Sequence, residues 1–161
     1  MQGNEKAFIF PKPLLRKAET DLNLSFSGLK SHIIKLINNN KSNLSSKSFI
    51  ADIAASFQKT ISDILINKIT RAIKLCNTKF PYYESVVVAG GVASNSYLRK
   101  RFIDAIKDSK KNPFIPPASL CTDNGAMIAW AGYESFKLGY SSPLDFKALP
   151  RWPLEKGKLY E

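Results

Sequence analysis

Residues 85–101 constrain the fold more than any other stretch of the chain. The first five are β-branched or small and mostly apolar, SVVVA, which predicts a short buried strand because the run is too short for a helix. The pair Gly90-Gly91 then permits a tight turn and a close approach of the backbone to a ligand. Ser94 or Asn95 can cap the helix that follows, since either side chain accepts from first-turn amides.

A strand, a glycine turn and a helix start have two interpretations. Unpaired amides and the positive end of the helix macrodipole would point at the turn, which suits a phosphate group. The same pattern also occurs in an ordinary tight connection between a strand and a helix. These residues alone leave both interpretations open.

Length and composition favour a cytoplasmic globular protein. The 161 residues are 44% hydrophobic, enough for one domain with a core of its own. No apolar run approaches the roughly 18 residues of a membrane span, and the first residues do not resemble a secretory signal. Cys76 and Cys121 lie in unrelated contexts, as expected for reduced thiols.

The charge balance favours a polyanionic partner. The chain has 24 Lys and Arg against 13 Asp and Glu, a net charge of +11, so nucleic acid is the first candidate. Residues 99–101 and 107–111 are local basic clusters. The alternative is that the protein comes from a generally basic, Lys- and Asn-rich proteome, in which case the charge carries no functional meaning.

Hydrophobic spacing predicts a mixed α/β chain. Apolar residues recur at helical spacing in four segments, and short apolar or alternating runs indicate strands elsewhere. The expected helices cover residues 29–37, 48–76, 94–107 and about 126–136, with Gly139 ending the last one. The expected short strands cover residues 7–10, 85–89 and part of 112–117, and residues 21–28 alternate as in a strand or an extended loop.

Thr122 and Asp123 precede the last predicted helix. Each is a good N-cap, and an aspartate also favours a helix start electrostatically. The Asp123 carboxylate could instead bind a cation, but a single carboxylate does not make a metal site. His32 is the only histidine, and its place beside an apolar helical stripe favours a solvated or capping role.

Five ordered motifs resemble the TsaD family of tRNA adenosine threonylcarbamoyltransferases, also called Kae or Qri. The resemblance runs from about residue 8 to residue 154, and the five motifs together are highly specific. They are FPKP at residues 10–13, FSGLK at 26–30, VAGGVASN at 88–95, LCTDNGAMIA at 120–129 and PRWPL at 150–154.

The resemblance implies one lobe of an actin-like fold (ASKHA, sugar-kinase-like). That lobe would comprise a helical insertion at about residues 21–78, a βαβα core at about 84–139 and a tail at 140–161. It also implies transfer of a threonylcarbamoyl group from threonylcarbamoyl-AMP to the adenosine beside the anticodon of tRNA.

By the same resemblance, Gly90 and Gly91 would approach the phosphate, Asn95 would bond the nucleotide, and Asp123 would ligate a divalent metal, iron or zinc. Such a metal would polarise the carbamoyl oxygen. The implied partners are tRNA and TsaB-like and TsaE-like proteins, and no membrane. No residue of this chain is nominated as a nucleophile.

The chain departs from the family pattern at its beginning. The His-x-x-x-His pair of the family's metal site and its glycine-rich adenylate segment belong to an N-terminal lobe that this sequence does not contain. We therefore expect little activity and no tight metal binding from this chain alone. Two alternatives remain: a non-catalytic module that binds partner proteins or tRNA, and a fragment of an actin-like small-molecule kinase.

Overall fold

The computed structural model describes residues 3–15, 21–145, 147 and 150. The chain divides into two compact units, Met1–Cys121 and Thr122–Glu161, and each is described by itself. The fold is mixed α/β, with most residues in helices and one small parallel sheet. Its elements are α1 (Ser27–Asn39), α2 (Lys47–Lys79), β1 (Ser85–Val87), α3 (Ser96–Asp108), β2 (Asn112–Phe114) and α4 (Gly125–Lys137), with short 3₁₀ turns at Lys41–Ser45, Gly91–Ser94 and Ala118–Leu120.

Helix α2 is the scaffold of the first unit. It begins after Ser46, whose Oγ accepts from the amide of Phe49 at 3.4 Å, and it runs for 33 residues. Its apolar stripe contributes to two clusters. One contains Ile53 and residues of α1, and the other contains Ile73 and residues of α3. The predicted amphipathic helix is therefore confirmed, three residues longer at its end than expected.

Residues 7–10 do not form the strand that their apolar run predicts. The segment crosses α2 in an irregular conformation, and Ser56 provides its hydrogen bonds: Ser56 Oγ accepts from the Phe8 amide at 3.1 Å and donates to the Asn4 carbonyl at 3.2 Å. Phe10 is buried, and its ring meets His32 edge to face. Only Phe10 of the apolar run is buried, since Ile9 is 94% exposed, and no neighbouring strand pairs with the run in the described residues.

The sheet of the first unit has two parallel strands joined through α3. Ser85 pairs with Asn112 and Val87 with Phe114. Val86 packs against the cluster of Leu98, Phe102 and Ile106 on one face. The opposite face exposes Val87 and Phe114, each to 62%. The strands expected at residues 85–89 and within 112–117 are confirmed, the first ending two residues earlier, and within the described residues they have no further neighbours.

Residues 21–26 have no regular secondary structure, so of the two expectations for that alternating stretch the extended loop is confirmed, and residues 27 and 28 already belong to α1. Lys68, a polar residue of α2, is buried. Its Nζ donates to the carbonyls of Leu14 and Asp21 at 3.3 and 2.6 Å, so the ammonium joins loop carbonyls instead of contacting solvent.

Helix α4 carries the regular structure of the second unit. It ends near Gly139, whose φ of 83° provides the left-handed residue that often follows a helix. None of its residues is buried, and Trp130 and Phe136 are exposed to 66% and 73%. Across the described part of the chain, no helix combines the length and apolar composition that crossing a bilayer requires.

Candidate functional site

The turn after β1 has a backbone that only glycine adopts readily. Gly90 has φ 91° and ψ 169°, a region nearly closed to residues with a Cβ. Its carbonyl accepts from the Ala93 amide at 2.9 Å, which starts the 3₁₀ turn. Gly91 differs because its φ is not positive. A Cβ added at either glycine would meet no atom within 4 Å. The structure therefore requires Gly90 for backbone conformation and leaves open space beside both residues.

Asn95 caps α3, as one of the two predicted candidates. Its Oδ1 accepts from the Leu98 amide at 3.1 Å and also from Gln58 Nε2 at 2.8 Å. The oxygen is thus used twice inside the protein. Within the described residues, the Nδ2 group has no partner, so Asn95 can contact a ligand as a donor.

Arg99 joins the turn to the loop after β2 through side-chain hydrogen bonds. Its guanidinium donates to the carbonyls of Ala93 at 3.2 Å, Ile115 at 3.3 Å and Pro116 at 2.6 Å, and it contacts Cys121 Sγ at 3.7 Å. These acceptors belong to the 3₁₀ turn and to the loop after β2. A planar fork of donors suits such a junction, because it holds several acceptors in one plane. Ser94 Oγ adds a contact to the Ala118 carbonyl at 3.4 Å.

A cavity of about 620 Å³ lies beside the start of α3. Gln58, Ser96 and Tyr97 line it, together with Glu5 and small residues of α2. Tyr97 donates its hydroxyl proton to Glu5 Oε2 at 2.8 Å, and burial together with that bond raises the tyrosine pKa. In the described residues, the amides of Ser96 and Tyr97 have no acceptor, as expected for a first helical turn.

Asp123 belongs to the second unit. Its side chain is exposed and has no hydrogen bond or ion pair among the described residues. The expectation that Thr122 or Asp123 caps the last helix is wrong. Asn124 is the cap: its Oδ1 accepts from the Met127 amide at 2.9 Å, and its Nδ2 donates to the Thr122 carbonyl. The Asp123 carboxylate is therefore not used as a cap.

The described residues do not fit a metal ion by themselves. No group of three or more His, Cys, Asp or Glu side chains comes together in them. One exposed carboxylate offers too few ligands for iron or zinc. A site at Asp123 would need donors from outside the described residues. The assignments of Asp123 to a metal ion and of Gly90 and Gly91 to a phosphate stay predictions.

Part of the basic cluster at residues 99–101 is occupied inside the first unit. Arg99 bonds carbonyls, and Arg101 Nη1 binds Asp63 Oδ1 at 2.6 Å. Asp63 also pairs with Lys12 at 2.7 Å and Lys59 at 3.3 Å. Burial opposes ionisation of Asp63, but hydrogen bonds and charge from Lys12 and Arg101 outweigh it and lower its pKa to about 2. The exposed lysines at residues 107–111 are better placed for a polyanion.

A model of the TsaD family, described as tRNA N6-adenosine threonylcarbamoyltransferase, matches residues 1–130, which include the glycine turn and Asp123. The chain belongs to the TsaD family. A protein of that same name from Ehrlichia ruminantium (strain Welgevonden) is 42% identical over 158 residues, covering 98% of this chain. The namesakes from Rhodospirillum rubrum and Clostridium novyi (strain NT) are 38% and 40% identical over 154 residues, covering 96% and 95% of this chain.

The chain spans less than half of the length of these TsaD relatives. It covers 44% of the Ehrlichia protein, 42% of the Rhodospirillum protein and 43% of the Clostridium protein. The family membership was predicted correctly from the five motifs.

Sequence reasoning missed three residues of the site. Gln58 lies 37 residues before Asn95 in the chain, and its amide gives no pattern that would separate it from other polar residues on α2. Arg99 is predicted only as part of the basic cluster at residues 99–101, because its carbonyl acceptors leave no sequence pattern. Asn124 was overlooked beside two other good caps, although an asparagine directly before a Gly-Ala helix start was the available signal.

Proposed function

We propose that this chain forms the C-terminal part of a tRNA N6-adenosine threonylcarbamoyltransferase, contributing one wall of the cleft in which the transfer occurs. The observation that carries the proposal is the family match over residues 1–130, which includes both the Gly90 turn and Asp123. In this proposal the lobe is actin-like: residues 21–78 are its helical insertion, residues 84–139 its βαβα core and residues 140–161 its tail.

The reaction needs an adenylate held in place and an amine that attacks it. The exocyclic N6 of the tRNA adenosine attacks the carbamoyl carbon of threonylcarbamoyl-AMP. The bond from that carbon to the phosphate oxygen breaks, AMP leaves with the electron pair, and the amine loses a proton. The acyl group passes directly from the adenylate to the amine, so no nucleophile from the protein is required.

This chain's residues would bind and orient the adenylate. The open space beside Gly91 lets a phosphate approach the backbone, and the unpaired Nδ2 of Asn95 donates to the nucleotide. Gln58 and Arg99 are positioning residues, because one orients the Asn95 amide and the other fixes the turn. Donors preorganised in this way stabilise the charge on departing AMP without moving during the reaction.

The divalent metal of the proposal, iron or zinc, would use Asp123 together with ligands supplied by the N-terminal lobe. The described residues do not complete such a site by themselves. The remaining partners in the proposal are tRNA and TsaB-like and TsaE-like proteins, and the setting is the cytoplasm, where the tRNA substrate is found.

The second candidate is a non-catalytic module that retains the lobe for binding partner proteins or tRNA. The observation that favours it is coverage, since the chain spans 44% of its Ehrlichia relative. The family match across Asn95 and Asp123 favours the transferase, because both residues lie within the matched range.

A complementation assay tests the proposal. Threonylcarbamoyl transfer from threonylcarbamoyl-AMP to tRNA is measured with this chain alone, with the N-terminal part of the Ehrlichia ruminantium relative alone, and with both. We expect transfer only in the mixture. Full activity of this chain by itself would refute the divided site, and an inactive mixture of two folded parts that bind each other would favour the non-catalytic module.

A further inference from the structure

An apolar groove runs between α1 and α2. Its volume is about 460 Å³. Ile33, Ile34 and Ile37 of α1 face Ile50, Ile53 and Phe57 of α2 across it, and Leu44 of the connecting 3₁₀ turn closes one end. Ile34 and Ile50 are each 49% exposed, and Leu44 is 38% exposed. Large aliphatic side chains thus remain uncovered in a row.

The spacing of the lining residues matches a helical occupant. The groove uses positions 30, 33, 34 and 37 of α1 and positions 50, 53, 54 and 57 of α2. Both sets follow the i, i+3, i+4, i+7 pattern of a single helical face. Two such faces side by side leave a channel into which the apolar ridge of a third helix packs.

The rim of the groove is positively charged. Lys30 lines it directly, Lys41 lies three residues before Leu44, and Lys47 lies three residues before Ile50. On a helix, that spacing places two side chains on the same side. By this spacing each of the three helical segments carries one lysine on the side of the groove, and Lys30 is the one that lines it.

Among the described residues, no carboxylate pairs with these lysines: Asp52, the nearest in the sequence, accepts from the Asn4 amide at 2.6 Å. Residues 27–51 contain four lysines and neither aspartate nor glutamate. In the part of the chain that the structure describes, none of the four forms an ion pair. The rim thus has unused positive charge around an apolar floor.

We propose that this groove binds an amphipathic helix of a partner protein, with apolar anchors at i, i+3, i+4 and i+7 and acidic residues along both flanks. The apolar anchors fill the floor and the carboxylates meet the lysine rim. The regular helical spacing on both walls favours a helix over an acyl chain, which needs no such register. The proposal is independent of the transferase activity.

A pair of designed peptides tests this proposal with the whole chain. Each is an 18-residue helical peptide with leucines at the four anchor spacings; one has glutamates on its flanks and the other has lysines at the same positions. Binding is measured by fluorescence anisotropy. We expect the acidic peptide to bind at least about tenfold more tightly than the basic one, since its glutamates are opposite in charge to the lysines at the groove.

Variants of the groove locate the binding. Ile50→Glu is expected to weaken binding of the acidic peptide by at least about tenfold, because it places a charge on the apolar floor. The matched control, Lys79→Glu, changes an exposed lysine at the far end of α2 and is expected to leave binding unchanged. Thermal melting checks that each variant folds. If Ile50→Glu does not fold, the double variant Lys30→Glu/Lys47→Glu replaces it, with an expected loss of about fivefold or more.

Four outcomes would overturn the proposal. The first is equal affinity for the two peptides, and the second is binding that groove variants do not weaken. The third is a dimer of this chain in sedimentation that Ile50→Glu dissociates, which would make a second copy the occupant. The fourth is binding to phosphatidylglycerol vesicles that the acidic peptide does not displace and that Lys30→Glu/Lys47→Glu abolishes, which would make an anionic membrane the occupant.

Discussion

Gly90 and Gly91 are adjacent residues with different physical requirements. Gly90 needs a backbone conformation with φ 91°, whereas the φ of Gly91 is not positive; a Cβ would stand in open space at either residue. A substitution at Gly90 therefore affects folding, and a substitution at Gly91 affects what approaches the turn. This difference separates the structural role of the turn from its binding role.

Alanine substitutions at the two glycines are expected to give opposite results. Gly90→Ala should lower the free energy of unfolding by about 1 to 3 kcal/mol because alanine is strained at that φ. Gly91→Ala should leave stability within about 1 kcal/mol of the parent and weaken adenylate binding, since its methyl group occupies the space of the phosphate. Urea unfolding and calorimetric titration with AMP measure the two effects. Unchanged binding in a stable Gly91→Ala protein would leave the turn as a plain connection.

Asn95→Asp tests the donor that the structure leaves unused. Aspartate keeps the oxygen that caps α3 and accepts from Gln58, so stability should stay within about 0.5 kcal/mol. It removes the Nδ2 donor and adds a charge beside the phosphate, so adenylate affinity should fall by about 1 to 3 kcal/mol. Gln58→Leu serves as the comparison, because it frees the Asn95 oxygen and keeps its Nδ2 group. Equal affinity in Asn95→Asp and the parent would reduce Asn95 to a cap.

At the scale of elements, Asp63 joins three segments of the first unit. Its carboxylate binds Lys12 of the N-terminal segment, Lys59 of α2 and Arg101 of α3. Its side chain is 17% exposed, and its pKa is lowered from 3.8 to about 2. A carboxylate with a lowered pKa stabilises the fold above its unfolded-state pKa, and that stability is lost as the pH falls through the folded-state value.

Asp63→Asn should therefore lower the free energy of unfolding by about 1 to 2 kcal/mol at pH 7. The difference from the parent should shrink as the pH falls from about 4 to about 2 and vanish below it, because the parent carboxyl is then protonated as well. Urea unfolding at a series of pH values measures this. Asp104→Asn, an exposed residue of α3, is the control and should show no such window. A pH-independent difference would contradict the ion-pair account.

Helices and strands could be predicted from the sequence where the signal lies within the element itself. The stripe on α2, the strand before Gly90 and the helix after Asn95 all follow from spacing and from residues with special backbone preferences. The irregular path of residues 7–10 was not predictable, since its hydrogen bonds come from Ser56, some 48 residues away. The contact of Gln58 with Asn95 has the same cause: it depends on how α2 lies against α3, which no local pattern records.

At the scale of the whole chain, the net charge of +11 includes two kinds of cation. Some are bonded to acceptors within the protein, and others are exposed and can contact a polyanion. Arg99, Arg101 and Lys12 are occupied by protein acceptors. Lys107 and Lys110 are exposed. The total charge was readable from the sequence, but its division was not, because Asp63 and the carbonyls that use these cations lie far from them in the chain.

This division predicts which lysines contact tRNA. The affinity for tRNA should fall steeply with salt, and the double variant Lys107→Gln/Lys110→Gln should reduce the slope of log affinity against log salt by about 1 to 2. Lys12→Gln should leave the slope unchanged, because that ammonium already pairs with Asp63. Filter binding at several salt concentrations measures both. If both variants changed the slope equally, tRNA binding would depend on the total charge of the protein and not on which lysines are exposed.

The most direct measurement of the central claim asks whether the turn at residues 90–95 contacts the adenylate. The chain is labelled with ¹⁵N, mixed with the N-terminal part of the Ehrlichia ruminantium relative and titrated with AMP, and amide shifts are recorded by NMR. We predict that the largest shifts occur at the amides of Gly90 and Gly91 and at the side-chain amide of Asn95. Saturable shifts confined to other residues, with these three unmoved, would contradict the account.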